Sequence, residues 1–216
     1  MTATHTQEDE AADAEFPLYG RRHSSRRIFI KMLVAAVLSL VAAFVLAVDA
    51  MKLASDPTLA LSCDLNAVLS CGTVALSWQA EVFGFPNVFL GLIFEPMAIT
   101  MALVGLSGVR IPRWLALAEQ VIYGFALIFA LWLFSQSMFV IGSLCPWCML
   151  ITYSTAFIFL SMLHYNIRER NIWRSGRGAR LAYAFIAKDI DLYVGIGYVA
   201  VITLMVIVKY GPQLVA

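Results

Sequence analysis

Five apolar stretches, each about as long as the roughly 20 residues a helix needs to cross a bilayer, constrain this 216-residue chain more than any other feature. They run from Ile28 to Ala50, Val88 to Ser107, Trp114 to Ser135, Cys145 to Leu163 and Leu192 to Val208. An open strand in lipid would leave its backbone N–H and C=O groups unpaired, so all five read as helices. Composition agrees. Residues of the AVILMFWYC set make up 61% before glycine is counted and mean hydropathy is +0.81, whereas soluble domains reach only about 45–50% with glycine included. Such a chain cannot hide its apolar surface from water, and the expected fold class is an all-α polytopic membrane protein. A net charge of +1 gives no reason to expect nucleic acid as a partner.

Basic residues set the orientation, because Lys and Arg are retained on the cytoplasmic side. With the N-terminus inside, the inner segments hold Arg21, Arg22, Arg26, Arg27, Lys31, Arg110, Arg113, Arg168, Arg170, Arg174, Arg177, Arg180 and Lys188, leaving only Lys52 and Lys209 outside. The organisation that follows is a cytoplasmic N-terminal tail (1–27), a four-helix bundle (28–165) with an outer loop (51–87), a basic cytoplasmic loop (166–191), and a fifth helix with a short outer tail (192–216). The first fifteen residues are acidic and polar and are expected to be disordered. No cleavable signal is expected, since the first apolar run is too long for one. The Arg- and Gly-rich segment from Asn166 to Ala179 reads as a topology determinant touching anionic lipid.

This orientation puts every cysteine on one side. Cys63 and Cys71 fall in the first outer loop, and Cys145 and Cys148 open the fourth helix. The outer face of a membrane is where disulfides form and persist. Cys-x-x-Cys is weak as a string, but its position adds chemistry: a thiol at a helix N-terminus faces the positive end of the dipole, which favours thiolate. Pro146 suits the first turn, where a missing N–H costs nothing. A zinc site would need all four thiolates to converge, inert structural disulfides are a second alternative, and a c-type haem needs His where Met149 stands. Two communicating redox pairs fit the placement best.

After Cys71, the segment Gly72 to Gly84 is too short to span and carries Trp78 and Phe83. It reads as a short helix on the membrane surface, holding Cys71 over the mouth of the bundle while Cys63 stays on the water side. Asn87 opens the second helix either as its cap or as an amide presented to a ligand. Glu95 is expected to pair with another helix, and Pro96 to kink its own. Glu119, about 9 Å from the inner helix end, is expected to snorkel, and His164 to be a boundary residue.

Cys63-Asp64, then Ser70-Cys71, then Asn87-x-x-x-Gly91, then Cys145-x-x-Cys148 at a helix start resemble, in that order, the vitamin K epoxide reductase family over about residues 28 to 165. DsbB-type quinone reductases place Cys-x-x-Cys in the first outer loop instead, so the order here is that of the vitamin K epoxide reductases. The resemblance implies a bacterial homologue of actinobacterial type without a fused thioredoxin domain, residing in the plasma (inner) membrane with its active site at the outer face. It implies a thiol–disulfide oxidoreductase that reoxidises a separate DsbA-like thioredoxin-fold protein. Electrons pass through Cys63/Cys71 and then Cys145/Cys148, by a transient Cys71–Cys145 bridge, to a membrane quinone (menaquinone or ubiquinone), and no metal is implied. The family's quinone-contacting tyrosine falls four residues after the second helix cysteine. Thr152 stands there with Tyr153 beside it, so Asn87, Thr152 and Tyr153 are the implied quinone-binding residues, with Phe89, Phe94 and Trp147 as aromatic lining. The rival functions are a membrane scaffold or transporter with structural disulfides, and vitamin K epoxide reduction as the main reaction.

Overall fold

The computed structural model describes residues 23–66 and 68–215. In chain order its helices are α1 (Ser25–Ser55), α2 (Cys71–Ala75), α3 (Val88–Leu106), α4 (Arg113–Gln136), α5 (Pro146–Arg168), α6 (Gly176–Ala187) and α7 (Ile190–Val215). Among the described residues, α1, α3, α4, α5 and α7 are long and apolar enough to cross a membrane. The chain is a multi-pass membrane protein of the expected all-α class. Residues 1–22, most of the expected N-terminal tail, lie outside the described residues.

Lipid gives helices no hydrophobic reason to associate, so close packing of small side chains holds them together. α1 meets this need with a buried stripe of Ala35, Ala36, Ser39, Ala42 and Ala43, and it packs along both α3 and α5. α4 completes the ring against α5, and α7 lies against α5 from outside. The tightest approach is at Gly105 on α3, where an added Cβ would lie 2.3–2.4 Å from ring atoms of Phe29 on α1. Gly105→Ala should therefore displace a buried ring and destabilise the bundle by about 1–3 kcal/mol. A thermal midpoint in detergent equal to that of the parent would mean the ring moves aside freely.

The bundle has two chemically different ends. At one, Arg110 pairs with Glu169 at 3.4 Å and Arg113 Nε donates to the Asn171 carbonyl at 2.6 Å. The other holds all four cysteines. One expectation about the basic end needs correction. Glu119 does not snorkel: it is 6% exposed, and neither carboxylate oxygen has a hydrogen-bond partner. His164 stands at this end too, 1% exposed, with Nδ1 2.8 Å from Asp191 Oδ2 and its ring stacked on His23. This cluster ties α5 to the start of α7 and to the residues preceding α1. The end of the Arg- and Gly-rich segment runs into α6, which begins at Gly176. Glu95 does pair across helices, accepting from Ser39 Oγ on α1 at 2.7 Å and from the Tyr123 hydroxyl on α4 at 3.2 Å.

Candidate redox site

The first cysteine pair is arranged by one carboxylate. Asp64 Oδ2 accepts the Leu61 N–H at 2.7 Å, while Oδ1 accepts the Ser70 hydroxyl at 2.8 Å and the Gly72 N–H at 2.9 Å. Ser70 in turn caps α2 by accepting the Thr73 N–H at 3.1 Å. These contacts fold residues 61–73 into a closed loop and bring Cys63 and Cys71 to a Cα separation of 5.6 Å, where they form a disulfide. Partial burial works against the Asp64 carboxylate, but the hydrogen bonds from Gly72, Leu61 and Ser70 outweigh it and hold the carboxyl below the usual carboxylate range.

The second pair is docked onto the first by backbone pairing. α4 runs into a π-helical turn, Ser137–Ile141, that ends at Gly142 in the left-handed conformation (φ 76°), which glycine adopts without strain. The chain then turns back so that Leu144 N–H donates to the Val68 carbonyl at 2.7 Å and Ser70 N–H donates to the Leu144 carbonyl at 3.1 Å. Cys145 follows as the N-cap of α5, its sulfur accepting the Cys148 N–H at 3.3 Å. That contact and the helix dipole favour negative charge on the sulfur. Cys145 Sγ lies 3.3 Å from Cys71 Sγ, and both residues are buried. Cys145 and Cys148 are free thiols. A thiol in contact with one sulfur of a disulfide is the starting geometry of thiol–disulfide exchange.

Below the sulfurs, α1, α3, α4 and α5 enclose a cavity of about 770 Å³, roofed by α2 and by the 3₁₀ turn Trp78–Glu81. The size suits a small organic ligand, and the lining is mostly apolar. Cys71, Cys145 and Cys148 reach its upper wall, and Glu95 and Tyr123 line it further down α3 and α4. Asn87 precedes α3 but does not cap it: its Nδ2 donates to the Gln79 carbonyl at 2.6 Å, leaving Oδ1 buried without a partner. Asn87 thus holds the N-cap position without a side-chain capping bond, and it lines the cavity. Thr152 also lines the cavity, its hydroxyl donating to the Cys148 carbonyl at 2.9 Å.

Other expected positions fall elsewhere. Tyr153 is turned towards α7, where its hydroxyl is 3.0 Å from Thr203 Oγ1, because one residue is about 100° around a helix. Phe89 and Phe94 line the cavity, but Trp147 packs beside the loop cysteines instead. Cys63 is not water-exposed: at 7% it is buried among Leu46, Leu53 and Leu61, next to the exposed stretch 56–60. The surface helix expected over Gly72–Gly84 is two shorter pieces, α2 and the 3₁₀ turn.

Sequence reasoning quoted Asp64 and Ser70 without seeing what they do. It missed Tyr123 and Gln79, although a lone tyrosine on a span and a glutamine near an interface were signals of a kind. The pairing of Val68 and Ser70 with Leu144 left no trace in residue type, because only backbone atoms take part.

The sequence profile described as the vitamin K epoxide reductase family matches residues 30–163. No curated protein matches the chain.

Proposed function

The chain belongs to the vitamin K epoxide reductase family and is a membrane oxidoreductase, and we propose that its reaction is oxidation of a protein dithiol coupled to reduction of a membrane quinone. The observation that carries this reading is the Cys145 sulfur, 3.3 Å from a disulfide sulfur at the wall of an apolar cavity.

The exchange runs as follows. A donor thiolate attacks Cys63, the Cys63–Cys71 bond breaks, and Cys71 leaves as thiolate. Cys71 attacks Cys145 of an oxidised Cys145–Cys148 pair, forming the Cys71–Cys145 bond and releasing Cys148 as thiolate. The donor's second thiol frees Cys63, which attacks Cys71 and displaces Cys145. The disulfide at Cys63–Cys71 and the thiols at Cys145 and Cys148 correspond to the point reached then, with two electrons held beside the cavity. A bound quinone supplies the final electron acceptor. Its site fits the residues present, since the cavity is apolar and Asn87 offers a buried oxygen with nothing to accept from. That oxygen suits the hydroxyl of the reduced ring, and the second Nδ2 hydrogen suits a carbonyl of the oxidised one. Thr152 is the further contact we assign.

The donor fits a DsbA-like thioredoxin-fold protein, because a buried Cys63 beside the exposed stretch 56–60 selects a reductant that can open the loop by docking on it. The charge distribution supports an orientation with the basic end in the cytoplasm and the cysteine end at the outer face. The test is turnover of the purified protein with a water-soluble benzoquinone and either a reduced thioredoxin-fold protein or dithiothreitol. Cys63→Ser should lose the protein donor but keep the small dithiol, which can reach the inner pair. Equal loss with both donors removes Cys63 from electron input, and no quinone reduction by the parent protein removes the quinone.

A further inference from the structure

We infer that Glu119, Tyr123 and Glu95 form a proton path that feeds the cavity from the basic end of the bundle, opposite the cysteines. The inference rests on the quinone reading above and adds to it where the protons come from. Reduction of a quinone takes two electrons and two protons, and oxidation of the donor dithiol releases two protons at the cysteine end. If the ring took those same protons, no polar groups would be needed in the other half of the bundle.

The structure puts polar groups there. Carboxyl side chains inside a membrane span are costly, and they are retained for function more often than for packing. Glu95 is 4% exposed, touches the cavity and accepts the Tyr123 hydroxyl at 3.2 Å. Tyr123, 3% exposed, shares that hydroxyl with the Phe94 carbonyl at 3.3 Å. One turn nearer the basic end of α4 stands Glu119, on the same face as Tyr123 at i, i+4 spacing. Side chains on a helix lean towards its N-terminus, so Glu119 leans towards Arg113 and the basic end, about 9 Å away along the helix.

Glu119 is the independent indication. A carboxyl serving only to hold helices together would have donors, as Glu95 does, yet both Glu119 oxygens are buried without one. Its neighbour Gln120 continues the polar line, accepting from Asn166 Nδ2 at 3.3 Å, and Asn166 Oδ1 accepts from Asn171 Nδ2 at 2.9 Å beside Arg113. A proton taken up by Glu119 at the basic end must cross one helical turn, over which the resting structure has no hydrogen bond, to reach the Tyr123 hydroxyl, and passes from there to Glu95, which delivers it to the reduced ring. For each ring reduced, two protons disappear at the basic end and two appear at the cysteine end, while two electrons cross from thiol to ring.

The test uses the full-length protein in sealed vesicles containing a lipid-soluble benzoquinone and a trapped pH dye. A charged dithiol peptide that cannot cross lipid is added outside, so only molecules with the cysteine end outward turn over. The parent protein should raise the luminal pH in step with quinol formation. Glu119→Gln, Glu95→Gln and the nearly isosteric Tyr123→Phe should slow quinol formation by about a hundredfold, the low end of what a positioned proton donor contributes. Each should leave Cys71–Cys145 bridging in a Cys148→Ser background at its normal rate. Glu119→Asp, which keeps the carboxyl, should recover most of the rate, as a purely structural role for the longer side chain would not allow. Normal quinol formation in the Gln variants, or parent turnover with a constant luminal pH, overturns the path. No quinol from the parent protein overturns the quinone reading itself.

Discussion

Cys148→Ser should accumulate a covalent Cys71–Cys145 bridge and lose all but a trace of quinone reduction. The prediction follows from an order of events at three sulfurs. Cys145 Sγ is already 3.3 Å from Cys71 Sγ, and its thiolate is favoured by the Cys148 N–H and the N-terminus of α5. Attack on Cys71 forms the Cys71–Cys145 bond and expels Cys63 as thiolate, with no external oxidant. In the parent protein Cys148, one helical turn on, can attack Cys145 of the bridge, expelling Cys71 as thiolate and converting the bridge to a Cys145–Cys148 disulfide. Serine cannot, so the bridge persists until Cys63 reverses it. Non-reducing digestion followed by mass spectrometry should find the peptide around Cys71 joined to that around Cys145. A Cys63–Cys71 linkage left intact, together with full turnover, would remove Cys148 from the relay. Cys145→Ser should give no bridge and equally little turnover, but with Cys63–Cys71 retained.

How much of this arrangement the sequence displays depends on whether it is written in side-chain type or in backbone contact. The five spans are written in side-chain type, since lipid demands long apolar runs, and the helices stand where those runs are. The two pairs of cysteines are equally plain, because thiols are scarce in this chain and all fall near the ends of spans that share one side. What decides reactivity is less visible. The contact between Cys71 and Cys145 depends on Leu144 pairing with Val68 and Ser70 through N–H and C=O groups alone, which any residue but proline can supply. Tyr153 shows a different limit: a motif position points to a residue, but the helix turns about 100° per residue, and only Thr152 meets the cavity. Glu119 shows a third. Distance to a helix end suggests snorkelling, yet whether a side chain can turn outwards depends on what is packed around it, and here it is enclosed.

Asp64→Ala should slow exchange at the loop disulfide without touching a sulfur. Three donors converge on this carboxylate, from Leu61, Ser70 and Gly72, and they span both flanks of the disulfide. A hydrogen bond to a charged acceptor contributes about 1.5–3 kcal/mol when shielded. This loop is only partly buried, so loss of all three should cost about 2 kcal/mol, roughly a 30-fold fall in the ratio of closed to open loop. The Cys71–Cys145 bridge in the Cys148→Ser background should then form more slowly, by up to about 30-fold. Asp64→Asn should rescue little, because an amide accepts at one oxygen only and turns its N–H₂ towards a donor. The pH dependence has a definite sign. A carboxyl held below its ordinary value, about 3.9, contributes its full stabilisation above that value and loses it as the pH falls through the lowered one. Bridging in the otherwise parental loop should therefore be insensitive to Asp64 protonation at neutral pH and should slow only in acid, whereas Asp64→Ala should be slow at both. Amide hydrogen exchange at Leu61 and Gly72 reads the loop directly. Unchanged protection there in Asp64→Ala would mean that the disulfide, and not the carboxylate, holds residues 61–73 in place.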